Sequence, residues 1–417
     1  MTRSLHRGWF IAAAAFATLL AAAGFRAAPG VLIDPLHEEF GWSRATIGAA
    51  VSVNLVLYGL FSPFAAALME RFGVRRVAAT ALFVVALGAG GTVFMTASWQ
   101  LILCWGVLVG AGTGSMAMSF AATISTRWFV RSRGAVTGIL TAAGSTGQLI
   151  FLPVIAHEAA QDGWRTASLV IAIAALAVVP VVLLVVRDHP ADLGIPPYGG
   201  TEILQPTVNR GSARRALSVL ATAARSRTFW LLAIGFAICG ATTNGLVGTH
   251  FVPAAHDHGM PQTTAAGLLA LVGIFDVVGT VVSGWLTDRV DPRILLGVYY
   301  AGRGISLALL PQLFTGSVQP SMWAFILFYG LDWVATVPPT VALCVRHFGD
   351  AGPIVFGWVF ACHQLGAAFA ASAAGAVRDQ LGDYALAWYI AAGLAVIGSV
   401  ASLAITRSRR TLPVLVN

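Results

Sequence analysis

The sequence predicts an all-α membrane protein, with twelve transmembrane helices in two six-helix bundles. Three observations carry this expectation. Hydrophobic residues make up 57% of the 417 residues and charged ones 10%, with a mean hydropathy of +0.80, whereas ordinary soluble domains carry about 25% charged residues. Apolar runs of roughly 20 residues, enough to cross a bilayer, recur along the whole chain. One charged phrase occurs twice, as Ala66-Ala67-Leu68-Met69-Glu70-Arg71-Phe72-Gly73-Val74-Arg75-Arg76 and as Gly284-Trp285-Leu286-Thr287-Asp288-Arg289-Val290-Asp291-Pro292-Arg293. Each copy closes the second long apolar run of its half and opens the third, which points to two homologous bundles.

Charge and turn clusters delimit the spans. The first, 9–33, lies between Arg7 and Asp34, and the second, 45–68, between Arg44 and Glu70. The third, 76–97, follows the first copy of the phrase, and the fourth, 99–125, ends before Arg127. The fifth, 134–156, starts after Arg133, and the sixth, 165–186, stops at Arg187. In the second half the spans are 228–252, 264–286, 294–314, 320–343, 353–377 and 385–406, the last ending at Arg407. When the connections are numbered alternately inside and outside, only Arg44, Arg165 and Arg378 fall outside, while the other arginines beyond the spans fall inside. This bias predicts that both termini and both copies of the phrase face the cytoplasm.

The polar stretch 187–227, with Pro190, Pro196, Pro197, Gly199 and Gly200 followed by arginines from Arg210 to Arg227, reads as a linker whose basic end lies on anionic headgroups. It divides the chain into an N-terminal bundle (1–186) and a C-terminal bundle with a short cytoplasmic tail (228–417). The apolar start reads as a retained helix, since no small-residue cleavage site interrupts it. Cys104, Cys239, Cys344 and Cys362 have no paired spacing, so neither a disulfide framework nor a metal site is expected. All 25 basic residues are arginine, and no phosphate-binding Gly-x-x-x-x-Gly-Lys loop occurs, so an ion or solute gradient is the expected energy source. The net charge of +8 is explained by the inside bias, without invoking nucleic acid.

The repeated phrase resembles the signature loop of the major facilitator superfamily, Gly-x-Leu-x-Asp-Arg-x-Gly-Arg-Arg. The second copy keeps Gly284, Leu286, Asp288 and Arg289; the first has Ala66 for Gly, Glu70 for Asp and Val74 for the first of the two basic residues. Pro35-Leu36-His37-Glu38-Glu39-Phe40-Gly41-Trp42-Ser43-Arg44, Trp128-Phe129-Val130-Arg131-Ser132-Arg133-Gly134 and Gly163-Trp164-Arg165 are similar to the bacterial branch of the monocarboxylate transporter family, which includes oxalate–formate exchangers. That resemblance implies alternating-access transport of a small organic anion across the bacterial inner membrane. Three positions depart from it. Family members carry an Arg four residues after the acid of the eighth span, where this chain has Asp276 and Thr280. The basic residue that many proton symporters carry in the fourth span falls at Gly106, and Pro153 does not follow a Gly.

Ionisable groups inside a bilayer are costly and mark functional sites by default. Asp276, Arg303, Asp332 and His363 each lie about ten residues into their spans, near mid-depth at about 1.5 Å per residue. Arg303 is expected to pair with Asp332 or Asp276, and either acid can serve as a proton site or as part of a static charge network. His363 and Gln364 read as cavity contacts or as an interhelical hydrogen-bonding pair. Arg26 stands where it can grip an anion bidentately or snorkel to the interface. Asn54 and Tyr58, one turn apart, and Asn244 are further candidate lining residues. Glu70, Arg71, Asp288, Arg289 and Arg293 are expected to form the cytoplasmic gate.

The expected function is therefore secondary active transport of a small organic anion, with the proton as coupling ion, by a multi-pass monomer with no cofactor and no enzymatic activity. The competing readings are an exporter of a larger amphipathic or aromatic compound, suggested by Thr280, Trp333 and Phe360, and a non-transporting sensor on the same fold.

Overall fold

In a bilayer the backbone has no water to bond with, so apolar runs satisfy their N–H and C=O groups within helices. The structure, a computed structural model, describes residues 6–27, 29–42, 44–203 and 212–407, with the backbone alone described at 24–27, 29–34 and several later positions. The N-terminal half comprises α1 (Arg7–Ala27), α2 (Pro29–Phe40), α3 (Arg44–Phe72), α4 (Val74–Thr92), α5 (Ser98–Trp128), α6 (Arg133–Gln161) and α7 (Trp164–Val185). After α8 (Ser212–Ala223), the second half comprises α9 (Arg227–Asp257), α10 (Gln262–Thr287), α11 (Pro292–Leu313), α12 (Pro320–Asp332), α13 (Val337–Phe348), α14 (Gly352–Leu381) and α15 (Ala385–Leu403). Each of the twelve predicted runs coincides with helix over most of its length. Among the described residues nine helical stretches are long and apolar enough to cross a membrane, one of which, Pro320–Leu381, takes in two predicted runs.

Three helices depart from regular geometry. Within α5 the segment Ile102–Val109 is π-helical, and within α9 so is Ala241–Val247; such bulges cluster at functional sites. The tenth predicted run is interrupted between Asp332 and Val337, before Pro338 and Pro339 open α13. A proline lacks an N–H and is best accommodated in a helix's first turn, and here the pair stands at the start of a new helix.

The stretch between α7 and α9 is more structured than its Pro and Gly content suggests. Asp188 accepts the backbone N–H of Arg75 at 2.9 Å and packs where a side chain on Gly73 (φ +85°) would project. Tyr198 bridges to Phe129 and sets its ring against Trp9. Helix α8 buries Ala216, Val219 and Ala223; its Arg215 pairs with Glu70 at 3.2 Å, and the Ala216 carbonyl accepts from the Trp358 indole of α14. The expected headgroup-binding face is thus partly turned inward, and α8 ties the two halves together. On α2, Glu39 accepts from Arg165 and from the Trp164 indole, and these bonds hold its carboxyl below the usual carboxylate range.

The halves meet along two helix pairs. On one, α3 runs beside α14, with Pro63 against Gly357, Tyr58 edge-on to Phe360 and Phe64 edge-on to Trp358. On the other, α6 crosses α10 at Gly134, Gly138 and Gly284, where a Cβ on Gly284 would stand 2.8 Å from Gly138 Cα and 2.5 Å from the Gly134 carbonyl oxygen. Only glycine permits that approach. Beside it the Asp288 carboxylate accepts the backbone N–H groups of Gly134 and Ala135 at 2.7 and 2.9 Å. An aspartate of one half thereby caps the first turn of a helix in the other, where orphan donors and the positive dipole end favour an anion. The two halves are thereby joined at the arginine-rich end.

Replacing Gly284 by Leu should part this crossing, because the neighbours that must move are backbone atoms. Overpacking of this kind costs about 1–3 kcal/mol. We expect a lower detergent melting temperature and faster alkylation of Cys239 by an impermeant thiol reagent added from the arginine-rich side. Unchanged labelling would show that the crossing does not hold the halves shut.

Candidate functional site

Between the halves lies a cavity of about 110 Å³. Helix α3 supplies Tyr58, α6 supplies Thr141, Ser145 and Gln148, α9 supplies Phe236, Cys239 and Asn244, and α14 supplies Phe360, His363 and Gln364. Trp333 and Val334, in the break between α12 and α13, close one side. The His363 ring is held between Phe236, at a centroid distance of 4.9 Å, and Phe360, at 5.8 Å. Gln364 occupies the space left by Gly59, where a Cβ would come within 2.9 Å of it.

The charges stand one layer behind this wall. Asp276 on α10 is 1% exposed. One of its oxygens accepts from the Thr280 hydroxyl at 2.8 Å and from the Val334 N–H at 3.0 Å, and the other accepts from the Ser145 hydroxyl. Ser145 belongs to the opposite half, so this last bond crosses the seam at mid-depth. The Val334 N–H is available because the helix is broken there.

Arg303 on α11 is fully buried and pairs with Asp332 through Nε at 2.7 Å. Its Nη2 donates to the Asp332 carbonyl at 2.7 Å and to the Trp333 carbonyl at 3.3 Å, while Nη1 reaches Cys239 Sγ at 3.0 Å and Thr242 Oγ1 at 3.3 Å. Tyr300 and Tyr329 present their rings to the guanidinium at 5.6 and 6.0 Å, and their hydroxyls are spent on the carbonyls of Gly235 and Thr242. The guanidinium thus satisfies carbonyls that the break leaves without helical partners. A buried charge is tolerable only with such a complete set of contacts.

The residues singled out from the sequence therefore divide. Tyr58, Asn244, His363 and Gln364 line the cavity; Asp276, Arg303 and Asp332 lie behind it, with Arg303 joined to Asp332 and not to Asp276. Asn54 is turned away and donates to the Trp105 carbonyl at 2.8 Å within the π-helical part of α5. Arg26 lies in the last turn of α1, and its side chain is outside the described residues. At the arginine-rich end Asp288 crosses the seam and Glu70 reaches α8. Arg71 rests over Phe72, Arg289 over Trp285, and Arg293 is held by Asp291 at 2.7 Å and by the Ile405 carbonyl, all within their own halves. Asp291 caps α11, and its bonds to Arg293 keep its carboxyl below the usual range. Sequence reasoning missed Thr141, Ser145, Gln148 and Cys239. The cluster Gly144-Ser145-Thr146-Gly147-Gln148 inside an apolar run was the available signal. Among the described residues no group of three His, Cys, Asp or Glu side chains is placed to hold a metal.

Arg303→Ala and Asp332→Ala should each cost about 3–5 kcal/mol, since each strands a buried charge. The double variant should cost less than the sum of the two, because the residues share one interaction. Strict additivity in detergent melts would mean that the pair contributes no coupling.

A family model described as Major Facilitator Superfamily matches residues 14–371. The uncharacterized MFS-type transporter YcxA of Bacillus subtilis (strain 168) is 26% identical over 406 residues, covering 93% of this chain and 92% of that protein. Monocarboxylate transporter 11 of Mus musculus is 25% identical over 417 residues, covering 96% and 88%. Among solved structures, a double-tryptophan mutant of XylE superposes with a TM-score of 0.74 at 17% identity over 97% of each chain. The Escherichia coli fucose:proton symporter FucP gives 0.65 at 18% identity, over 94% of this chain and 98% of its own. Two helical bundles joined across a central cavity, together with a family match over most of the chain, lead to one conclusion: the protein belongs to the Major Facilitator Superfamily of membrane transporters.

Proposed function

We propose that this transporter carries a small organic monocarboxylate across the bacterial inner membrane by alternating access, coupled to the proton through Asp276. The observation that carries the reading is the set of contacts at Asp276. Its carboxylate accepts three hydrogen bonds, from Thr280, Val334 and the cross-seam Ser145. Three donors suit the ionised form; a protonated carboxyl brings a donor of its own, and one of the two hydroxyls must turn its own proton elsewhere to accept it. Protonation at the oxygen that faces Ser145 makes that hydroxyl reverse or release its bond, which loosens the seam at mid-depth. Proton occupancy and the rocking of the halves are linked through that one contact.

Several further points support the reading. The cavity is lined from both halves, as a site exposed alternately to two sides must be, and its volume suits a small solute better than a larger amphipathic one. Its amide, hydroxyl and imidazole groups can bind a carboxylate by hydrogen bonding. Relatives aligned over nearly the whole chain include proteins named monocarboxylate transporters 11 and 13. Asp288 at the N-terminus of α6, with α8 bound to both halves, acts as the cytoplasmic gate that holds the present state closed on that side.

The test is transport in proteoliposomes with a small carboxylate that stabilises the purified protein. One pH unit of gradient supplies about 1.4 kcal/mol per proton, enough for at most about tenfold accumulation at one proton per solute. Asp276→Asn should bring accumulation down to the equilibrium ratio while counterflow, which needs no net proton movement, continues. An Asn variant that still concentrates the solute would exclude Asp276 as the coupling group.

A further inference from the structure

A second cavity, of about 430 Å³, is lined wholly by the N-terminal half, so it stands apart from the central one. It is a groove in the flank of the bundle. One wall is a stripe of α3, formed by Phe61, Leu68 and Phe72, and the other a stripe of α4, with Arg76, Thr80 and Val84. Spacings of four and seven set each stripe on one helix face. The floor is α5, where Ala111, Gly112 and Ser115 are small and let the groove run deep. Ser115 returns its hydroxyl to the Ala111 carbonyl at 2.8 Å, so that hydroxyl is already spent. The seam lies elsewhere on α3, at Pro63 and Phe64. Beside the groove Leu60 and Phe83 are exposed, as is Phe72 within it, which is the character of a surface turned to hydrocarbon.

The two ends of the groove differ. Arg76, at the arginine-rich end, is exposed, and among the described residues no hydrogen bond, ion pair or ring contact holds it. Acids on either side are engaged: Glu70 pairs with Arg215, and Asp188 accepts the backbone N–H of Arg75. Arg71, resting over Phe72, adds positive charge at the same end. From Arg76 to Val84 is 84 − 76 = 8 residues, about 12 Å of helix. That is most of one leaflet's hydrocarbon depth, about 15 Å. A free phosphate would meet the cation and leave the groove unfilled, whereas a neutral lipid would fill the groove and leave the cation unmatched. We infer that the groove binds an anionic phospholipid from the leaflet on the arginine-rich side, with its phosphate on Arg76 and one acyl chain laid along α3, α4 and α5 as far as Val84. Arginine suits phosphate by its forked donors, and anionic headgroups are drawn to basic residues at this depth. The site is independent of what the central cavity carries.

The experiment places the full-length protein in phosphatidylcholine nanodiscs doped with phosphatidylglycerol or phosphatidylcholine bearing a diazirine midway along one chain. After irradiation, labelled residues are mapped by peptide mass spectrometry. Phosphatidylglycerol should label the groove stripes of α3 and α4 about fivefold more than phosphatidylcholine. Arg76→Gln should bring phosphatidylglycerol down to the phosphatidylcholine level, while Arg76→Lys should keep the preference. Thr80→Trp, at an exposed position in the groove, should remove labelling by either lipid. Equal labelling by the two lipids in the parent, or a preference that survives Arg76→Gln, overturns the assignment of the headgroup. Parent-like labelling of Thr80→Trp, or no labelling of the groove in the parent, overturns the assignment of the chain. Excess glycerol phosphate should leave the phosphatidylglycerol labels in place; if it abolishes them, the head alone is bound and the site is not a lipid site.

Discussion

The crossing of α6 over α10 is the constraint on which the rest of the molecule depends. Two carboxylates, Asp276 within α10 and Asp288 at its C-terminal cap, reach into the opposite half, one to a hydroxyl at mid-depth and one to the first backbone amides of α6. They are 288 − 276 = 12 residues apart, about 18 Å along the helix axis. Between them Gly138 and Gly284 let the backbones touch. The contact at one end and the contact at the centre are therefore mounted on the same helix.

Behind that helix the buried ion pair serves the break between α12 and α13. Arg303 holds the carbonyls of Asp332 and Trp333, and the Val334 N–H freed by the same break is given to Asp276. The guanidinium and the Asp276 carboxylate thus grip one short non-helical segment from two sides. A buried ion pair is weak evidence for stability in general. Here its contribution is positional: it fixes the break whose amide completes the coordination of Asp276. Cys239 and Val334 stand between this charged layer and the cavity.

Much of this was legible in the sequence. Hydropathy and charge bias outlined the helical runs, and the repeated phrase announced two related halves. The mid-depth charges could be listed because an ionisable residue in an apolar run is conspicuous on cost alone. What stayed hidden depends on side-chain direction. Asn54 and Tyr58 share a helix face, yet the π-helical turn of α5 leaves a Trp105 carbonyl that captures Asn54 and withdraws it from the cavity. Arg289 and Arg293 look like gate charges by their place in the phrase but settle on Trp285 and Asp291. Thr141 was invisible because small hydroxyls in a membrane helix ordinarily bond their own backbone, and for Ser145 the only mark was the polar cluster around it.

The capping of α6 by Asp288 also bears on how sequence variation in this region should be read. The aspartate is bonded to main-chain amides, which every residue except proline possesses, and not to a partner side chain. Substitutions at Ala135 other than proline can thus drift without disturbing the contact, whereas Gly134 is restricted by the Gly284 carbonyl oxygen and by the Asp288 carboxylate itself. Methods that look for paired substitutions across the two halves would find no correlated partner for Asp288. A contact that joins the two halves would leave only a one-sided record, an acid retained opposite a position, Ala135, that is free to change.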